Sequence, residues 1–338
     1  MKIAYFTGWL RPEMEGTSNE VFALARHFNA RYLIGVSGHE RFRFLPKDRA
    51  LGLNPNAYII LKALLPLFEN FQQISHIYDD VGCWHYLRNL RKKPVVFSVV
   101  SGVDLLPVDL YENVRIFVVD SKARYQKLTS MGFLKEKLRI IYPGIDLDYF
   151  KPAKKNCTGF NVLFASAPPT VKELHGRGVI DILETAKLTP DVKFTLLWRP
   201  WGDSHQFVEN AINEMNLTNV HLINHVITDK LSIFNNMDCM VVPFRKNGGK
   251  PCPTSVLEAC ACGLPVISGE GVEIRDLLAN ENAGINVDNN PESIAFAIDR
   301  IRQNYSFYSS SARACAENFF SLKQFFENYR EIYEEVLQ

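Results

Sequence analysis

Short apolar runs rich in β-branched and aromatic residues recur along this chain, with helical patterns of polar and apolar positions between them. "KIAYFTG" (2–8), "RYLIGVS" (31–37), "SHIYDD" (75–80), "PVVFSVV" (94–100) and "RIFVVD" (115–120) predict strands. "SNEVFALARHF" (18–28) predicts an amphipathic helix with Ser18 or Asn19 near its cap. "LRIIYPG" closes this series at about residue 144. A second series follows: "NVLFAS" (161–166), "KFTLLWR" (193–199), "NVHLINH" (219–225), "CMVVPF" (239–244) and "LPVISG" (264–269). Helices are predicted over 178–188, 204–215, 254–262 and 291–303. The tail, 321–337, is a long helix with apolar Leu322, Phe325, Phe326, Tyr329, Ile332 and Tyr333.

Continuous apolar runs, rather than strict alternation, are what strands covered on both faces require, and that implies parallel sheets. Two such series imply an α/β chain of two doubly wound Rossmann-like domains facing a cleft. The polar, lysine-rich stretch 146–159 reads as the linker, which divides the chain at about 1–155 and 156–318. Ligands of such sheets bind beyond the carboxyl ends of the strands, so the loops there are the places to look.

Composition narrows this picture. The net charge of +1 gives no overall case for nucleic acid, and 22% charged residues with 47% apolar ones exclude a disordered chain. The charge is divided, however. Residues 1–155 carry 23 Lys and Arg against 15 Asp and Glu, whereas 156–338 carry 15 against 22. A basic first half suits an anionic acceptor or a membrane face, or is scattered solvated charge. Seven cysteines, an odd number without CxxC spacing, suit a reducing compartment. Cys252, Cys260 and Cys262 read as core packing rather than metal ligands. No apolar run approaches the ~20 residues of a membrane span. The start "MKIAYFTGWL" is strand-like rather than a signal peptide. Together these readings predict a cytoplasmic protein, with peripheral membrane contact left open.

The candidate chemistry lies in "GGKPCPTSVLEACACGLPVI" (248–267), a glycine loop, a short helix and a strand. Free backbone N–H groups at a helix start, with the positive end of its dipole, attract phosphate. Gly248 and Gly249 let the backbone come close to a ligand. The G-x-x-x-x-G-K-[ST] spacing of a nucleotide-hydrolase P-loop is absent. Ser255 and Glu258 also fit the S-x-x-E capping box, in which the glutamate would close back on the helix start instead of facing a ligand.

The stretch "PTSVLEACACGLPVI" resembles the donor-site helix of the family-4 retaining glycosyltransferases, which have the GT-B fold. "FTGWLRPEMEGTSNEVFALARHF" resembles their N-terminal glycine loop and first helix, and "RIIYPGIDLDYFKP" the segment before their interdomain linker. "HGRGVIDILETA", "MDCMVVPF" and "AGINVDNNPESIAFAI" are similar to later family segments in order and spacing. The resemblance covers nearly the whole chain. It implies transfer of a sugar from a nucleotide diphosphate sugar, of UDP or GDP type, with retention at the anomeric carbon and without metal or cofactor. The expected acceptor is a hydroxyl of a glycan, a lipid-linked glycan or a small molecule. It further implies a first, acceptor-side domain onto which the final helix, about 319–338, packs back, and a second, donor domain.

The resemblance also assigns residues. Glu258 matches the second glutamate of the family's E-x7-E motif, which accepts hydrogen bonds from ribose hydroxyls. The backbone around Thr254, Ser255, Val256 and Leu257 would meet the ribose and diphosphate. Arg177 matches the family lysine that offsets the diphosphate charge, a role a guanidinium fork also fills. The family arginine has no clean match in "SAPPTVKELHGRG", and Lys172 is the candidate. Gly16 matches the glycine that approaches the diphosphate or acceptor.

Two positions depart from the family. Lys250 stands where the first glutamate of the motif holds donor sugar hydroxyls, and a lysine accepts no hydrogen bonds. It pairs with an acidic sugar, pairs with the diphosphate, or is a solvated lysine on a relaxed loop. The family's His-Gly pair is replaced by Ser101-Gly102, with no histidine. Asp104 and Asp120 lie near predicted strand ends, suited to orienting an acceptor hydroxyl or to turn and cap roles. Glu273 or Asp276 would cap the helix after "SGEG". Because both departures fall on the sugar side, two alternatives stay open: a catalytically silent nucleotide-sugar-binding partner subunit, and a sugar-nucleotide epimerase.

Overall fold

The computed structural model describes residues 1–11, 16–36, 42–54, 61, 64–79, 86–102, 111–200 and 202–338. Among the described residues, fourteen strands form two sheets. The first holds β1 (Ile3–Trp9), β2 (Tyr32–Val36), β3 (Phe42–Leu45), β4 (Ala50–Leu53), β5 (Ile74–Asp79), β6 (Val95–Val99), β7 (Val114–Val119) and β8 (Leu138–Ile140). Their order is β3-β4-β2-β1-β5-β6-β7-β8, parallel except for the antiparallel edge pair of β3 and β4. The second holds β9 (Phe160–Phe164), β10 (Val192–Trp198), β11 (Val220–Asn224), β12 (Cys239–Val242), β13 (Val266–Ser268) and β14 (Gly284–Asn286). Its order, β11-β10-β9-β12-β13-β14, is wholly parallel and is that of a doubly wound sheet. Strand order reverses between β1 and β5 in the first sheet and between β9 and β12 in the second, so those are the switch points where a ligand site forms.

Among the described residues the helices include α1 (Gly16–His27), α2 (Lys122–Ser130), α3 (Val179–Leu188), α4 (Ser204–Glu214), α5 (Lys230–Phe234), α6 (Thr254–Ala261), α7 (Arg275–Asn280), α8 (Pro291–Gln303), α9 (Tyr305–Phe319) and α10 (Leu322–Leu337). The chain divides into two compact units: Met1–Gly144 with Lys323–Gln338, and Ile145–Leu322. The stretch 146–159 has no regular structure beyond turns, yet it is tied to the second unit. Arg313 donates to the carbonyls of Phe150 and Leu147, and the amides of Ala153 and Asn156 donate to Asn235 and Asn236. Ser18 is not a helix cap. It lies inside α1, where its Oγ donates to the Trp9 carbonyl at 3.0 Å and accepts from the Arg11 amide at 3.0 Å.

Central strands are buried along their whole length, as the unbroken apolar runs require. Every residue of β5, β6 and β9 is buried. In the first unit, Phe6, Ile77, Phe97 and Phe117 build the core on one face of the sheet. The last helix belongs to this unit, and buried hydrogen bonds hold it there. The Tyr333 hydroxyl lies 2.7 Å from His76 Nδ1 and 3.1 Å from the Tyr5 hydroxyl. His76 Nε2 meets Ser98 Oγ at 2.8 Å, and the Tyr329 hydroxyl meets the same Oγ at 2.8 Å. Three adjacent strands thus each supply one polar group to one helix face. A buried network with all members paired ties the helix more specifically than apolar contact alone.

Burial pulls the His76 imidazole down to about 3, so it stays neutral in the folded chain. In the unfolded chain it titrates near its ordinary ~6.5. Between those values the unfolded chain binds more protons, so stability falls as the pH drops through about 6.5. Urea midpoints of the natural chain are expected to decline from about pH 7 to pH 5, and His76→Gln is expected to flatten that decline. An unchanged slope in the variant contradicts the assignment.

Candidate functional site

The loops after β9 and β12 meet at the switch point of the second sheet, and two glycines make the meeting possible. A Cβ on Gly248 would lie 1.9 Å from the Gly176 carbonyl oxygen, and one on Gly176 would lie 3.1 Å from Gly248 Cα. The Arg245 amide donates to the Gly176 carbonyl at 2.9 Å. The Arg245 side chain then clamps the start of α3, forking onto Asp181 at 2.5 and 3.1 Å and also donating to the His175 and Asn289 carbonyls. Gly178, with φ of +67°, turns the chain into α3 where a Cβ would strike the Pro243 carbonyl at 2.4 Å. The loop after β13 packs on the same edge. Gly269 and Gly271 donate backbone hydrogen bonds to the carbonyls of Val242 and Phe244.

Arg177 sits at the centre of this arrangement. Its guanidinium lies 4.9 Å from the Phe244 ring centroid, and Nη1 donates to Ser166 Oγ at 2.7 Å. Its Nε is buried and has no hydrogen-bond partner among the described residues. Desolvation pulls its pKa down to about 10, Glu173 counteracts that shift and nearby Arg199 adds to it. The side chain therefore stays charged at neutral pH but is poorly solvated, a state that a negatively charged ligand relieves. Gly249 borders it: an added Cβ would lie 2.7 Å from the Phe244 ring and 2.8 Å from Arg177 Nη1. Lys250 follows, half-buried. Lys172 is exposed on the 3₁₀ turn Val171–Glu173.

Helix α6 begins at Thr254 after Pro253, and no side chain caps it. The capping-box reading is therefore corrected. Pro253 occupies the cap position, which puts Ser255 second in the helix and Glu258 fifth, out of register for a box. Pro253 also favours the observed extended entry, with φ of −70° and ψ of 128°. Val256 and Leu257 are buried against the sheet, whereas Thr254 and Ser255 are half-buried. Glu258 points elsewhere: its Oε1 lies 3.4 Å from Lys230 Nζ. Burial pushes the Glu258 carboxyl up, and Lys230 and then Arg199 oppose that shift. Neither Glu273 nor Asp276 caps α7, whose N-cap position is Ile274 with no side-chain bond. Asp276 instead accepts from Asn286 Nδ2 at 3.1 Å.

In the first unit, Asp79 ends β5 at the switch point and is buried. Its carboxylate accepts from Ser101 Oγ at 2.9 Å, the Trp9 amide at 3.2 Å and Thr7 Oγ1 at 3.4 Å. Ser101 and Gly102 thus lie on the carboxyl edge of that sheet, and Gly102 adopts a positive φ of 42°. Gly16 is the first residue of α1. Asp104 lies outside the described residues. Asp120 is buried beside Arg124, 3.7 Å away. His76 is the structural histidine described above.

Sequence reasoning missed Lys230, Arg199 and Asp79. Lys230 and Arg199 belong to no motif and reach Glu258 only through the fold. Asp79, an acid at the end of an apolar strand next to a predicted switch point, carried a usable signal.

Residues 177–304 match the family model described as Glycosyl transferases group 1, a span that opens at Arg177 and contains both Lys250 and Glu258. No curated protein matches the chain. Among solved structures, the fold is shared with HepE from Anabaena in complex with UDP and glucose, at 14% identity over 99% of both chains and a TM-score of 0.79. It is shared with a glycosyltransferase from Rickettsia africae ESF-5, at 16% identity over 100% of this chain and 99% of that one, TM-score 0.81. Sucrose-phosphate synthase from Thermosynechococcus elongatus follows at 14% identity, 99% coverage of both chains and a TM-score of 0.78. The fold is GT-B, and the match of residues 177–304, within the second unit, supports a glycosyltransferase.

Gly248 faces a backbone oxygen, whereas Gly249 faces side-chain atoms. Gly248→Ala is therefore expected to force the two loops apart and cost roughly 1–3 kcal/mol in urea unfolding. Gly249→Ala is expected to cost less and to displace Arg177 from the Phe244 ring. Equal stability losses in the two variants would contradict this placement.

Proposed function

We propose that the chain is a retaining glycosyltransferase that takes a sugar from a nucleotide diphosphate sugar and passes it to an acceptor hydroxyl. The observation that carries this reading is the poorly solvated Arg177 guanidinium, with its unpartnered Nε, beside glycine loops and an uncapped helix start. Such a cluster offsets the charge that builds on a departing diphosphate. The solved HepE structures hold UDP, UDP with glucose, and UDP-glucose, which supports a uridine diphosphate donor for this chain.

In this reading Arg177, with Lys172, meets the diphosphate without a metal ion. Gly249 and the backbone from Thr254 to Leu257 line the diphosphate and ribose, and Glu258 accepts from the ribose hydroxyls. Within the first unit, Gly16 and the Ser101–Gly102 pair beside Asp79 suit contact with the acceptor. The acceptor attacks from the face the diphosphate leaves, with a donor phosphate oxygen taking the hydroxyl proton, so the configuration is retained. A glycan, a lipid-linked glycan or a small molecule suits the acceptor role. The basic first half suits contact with an anionic membrane face, and no helix among the described residues is long and apolar enough to cross a membrane.

Lys250 replaces an acidic group that would hold neutral sugar hydroxyls, which favours a donor with an acidic sugar such as a uronic acid. A thermal-shift screen of nucleotide diphosphate sugars, followed by mass spectrometry of acceptor mixtures, is expected to give donor-dependent stabilisation and a glycosylated product. UDP-glucuronic acid is expected to outperform UDP-glucose, and Lys250→Ala to reduce that preference about tenfold, a usual size for loss of one charge-assisted contact. Transfer from neutral donors, unchanged in Lys250→Ala, would overturn the acidic-sugar reading. Nucleotide binding without transfer would favour a silent partner subunit, and a sugar-nucleotide product without acceptor an epimerase.

A further inference from the structure

Glu258 is asked to accept hydrogen bonds from two hydroxyls while only 7% exposed. A carboxylate has lone pairs for both, whereas a neutral carboxyl turns one oxygen into a donor. Burial favours the neutral form. Something must therefore hold the charge in place.

The groups facing it come from three elements. Lys230, at the start of α5, places Nζ 3.4 Å from Oε1. Arg199, just beyond the carboxyl end of β10, acts on the same carboxylate from farther away, and the Cys262 thiol, just past the end of its helix, feels its charge. Lys230 is well placed for a steady role. Asp229 caps α5 by accepting from the Ser232 amide at 3.0 Å, which fixes the backbone that carries it. Its own side chain is about half exposed, 49%, against 10% for Glu258, so the ammonium keeps water while the carboxylate loses it. The contact is to one carboxylate oxygen, at the outer limit of a hydrogen bond.

We propose that Lys230 is a positioning residue of the nucleotide site: its ammonium holds the buried Glu258 as an anion, ready to accept from both ribose hydroxyls of the donor. This rests on the reading of Glu258 as the ribose acceptor. Lys230 itself does not contact the nucleotide in this scheme. Without it, the carboxyl takes up a proton at higher pH, and the ribose contact is lost as the pH falls.

The test is calorimetric titration of UDP, GDP and ADP into the full chain between about pH 5.5 and 8.5. The tightest of them is then compared with its 2′,3′-dideoxy counterpart in the natural chain, Lys230→Gln, Lys230→Arg and Glu258→Gln. Lys230→Gln is expected to weaken the ribonucleotide by about threefold or more near pH 5.5 and by under about twofold near pH 8.5, because a carboxyl that binds its proton more tightly loses its anion first where protons are most abundant. Lys230→Arg is expected to keep the natural profile, and Glu258→Gln to be weak at every pH. The dideoxy ligand is expected to change less than about twofold in any variant, because it lacks the hydroxyls concerned. If no nucleoside diphosphate binds the natural chain, the donor-site reading fails and takes this proposal with it. If one binds but Lys230→Gln weakens it equally at all pH values, or weakens the dideoxy ligand as much, Lys230 contacts the nucleotide directly and the proposal is overturned. An unchanged Lys230→Gln profile overturns it as well.

Discussion

Keeping a guanidinium charged but short of water is the constraint around which the carboxyl edge of the second sheet is built. Arg177 lies over the Phe244 ring and against Ser166, leaving one buried donor without a partner among the described residues. Holding it there needs two loops to touch backbone to backbone, which Gly176 and Gly248 allow and any Cβ at Gly248 would prevent. It needs Gly249 to leave room beside the ring. It also needs the Arg245–Asp181 fork to fix α3 relative to β12, because Arg177 stands just before that helix. A cation held this way is organised before its ligand arrives, so little reorganisation opposes charge stabilisation during the reaction.

In the proposed function, the residues assigned to the nucleotide and those assigned to the sugar follow different rules. On the proposed nucleotide side, Arg177 and the start of α6 suit a diphosphate, and Glu258 suits ribose hydroxyls. In the second unit Lys250 stands where the resembling family carries an acid, and in the first unit Ser101 stands where it carries a histidine. Ser101 is held by Asp79 rather than facing a ligand alone. A nucleotide has the same diphosphate whatever sugar it carries. In that reading, changes confined to the sugar positions would alter which donor is used while leaving the nucleotide contacts intact.

Much of this was legible in the sequence because buried parallel strands announce themselves as unbroken apolar runs. All the strand runs read from the sequence form strands, and the predicted helix 291–303 coincides with α8. The helix over 254–262 is α6 with one residue fewer. Other features were hidden by their physics. Helix α5 has five residues, too few for a periodic pattern. Helix α9 is rich in serine and aromatic residues of modest helix propensity, and it forms by packing against α6. The S-x-x-E spacing suggested a capping box, but Pro253 takes the cap position and moves both residues inward by a step that spacing alone does not reveal. The Lys230–Glu258 pair joins residues 28 apart that meet only through the fold.

Everything here turns on Arg177 being the charge that meets a diphosphate. The most direct measurement is the affinity of UDP and of uridine for the natural chain and for Arg177→Ala. The account predicts that the substitution weakens UDP by about ten- to a hundredfold, as loss of a charge-assisted contact does, and leaves uridine within about twofold. Equal losses for both ligands, or no loss for UDP, would contradict it.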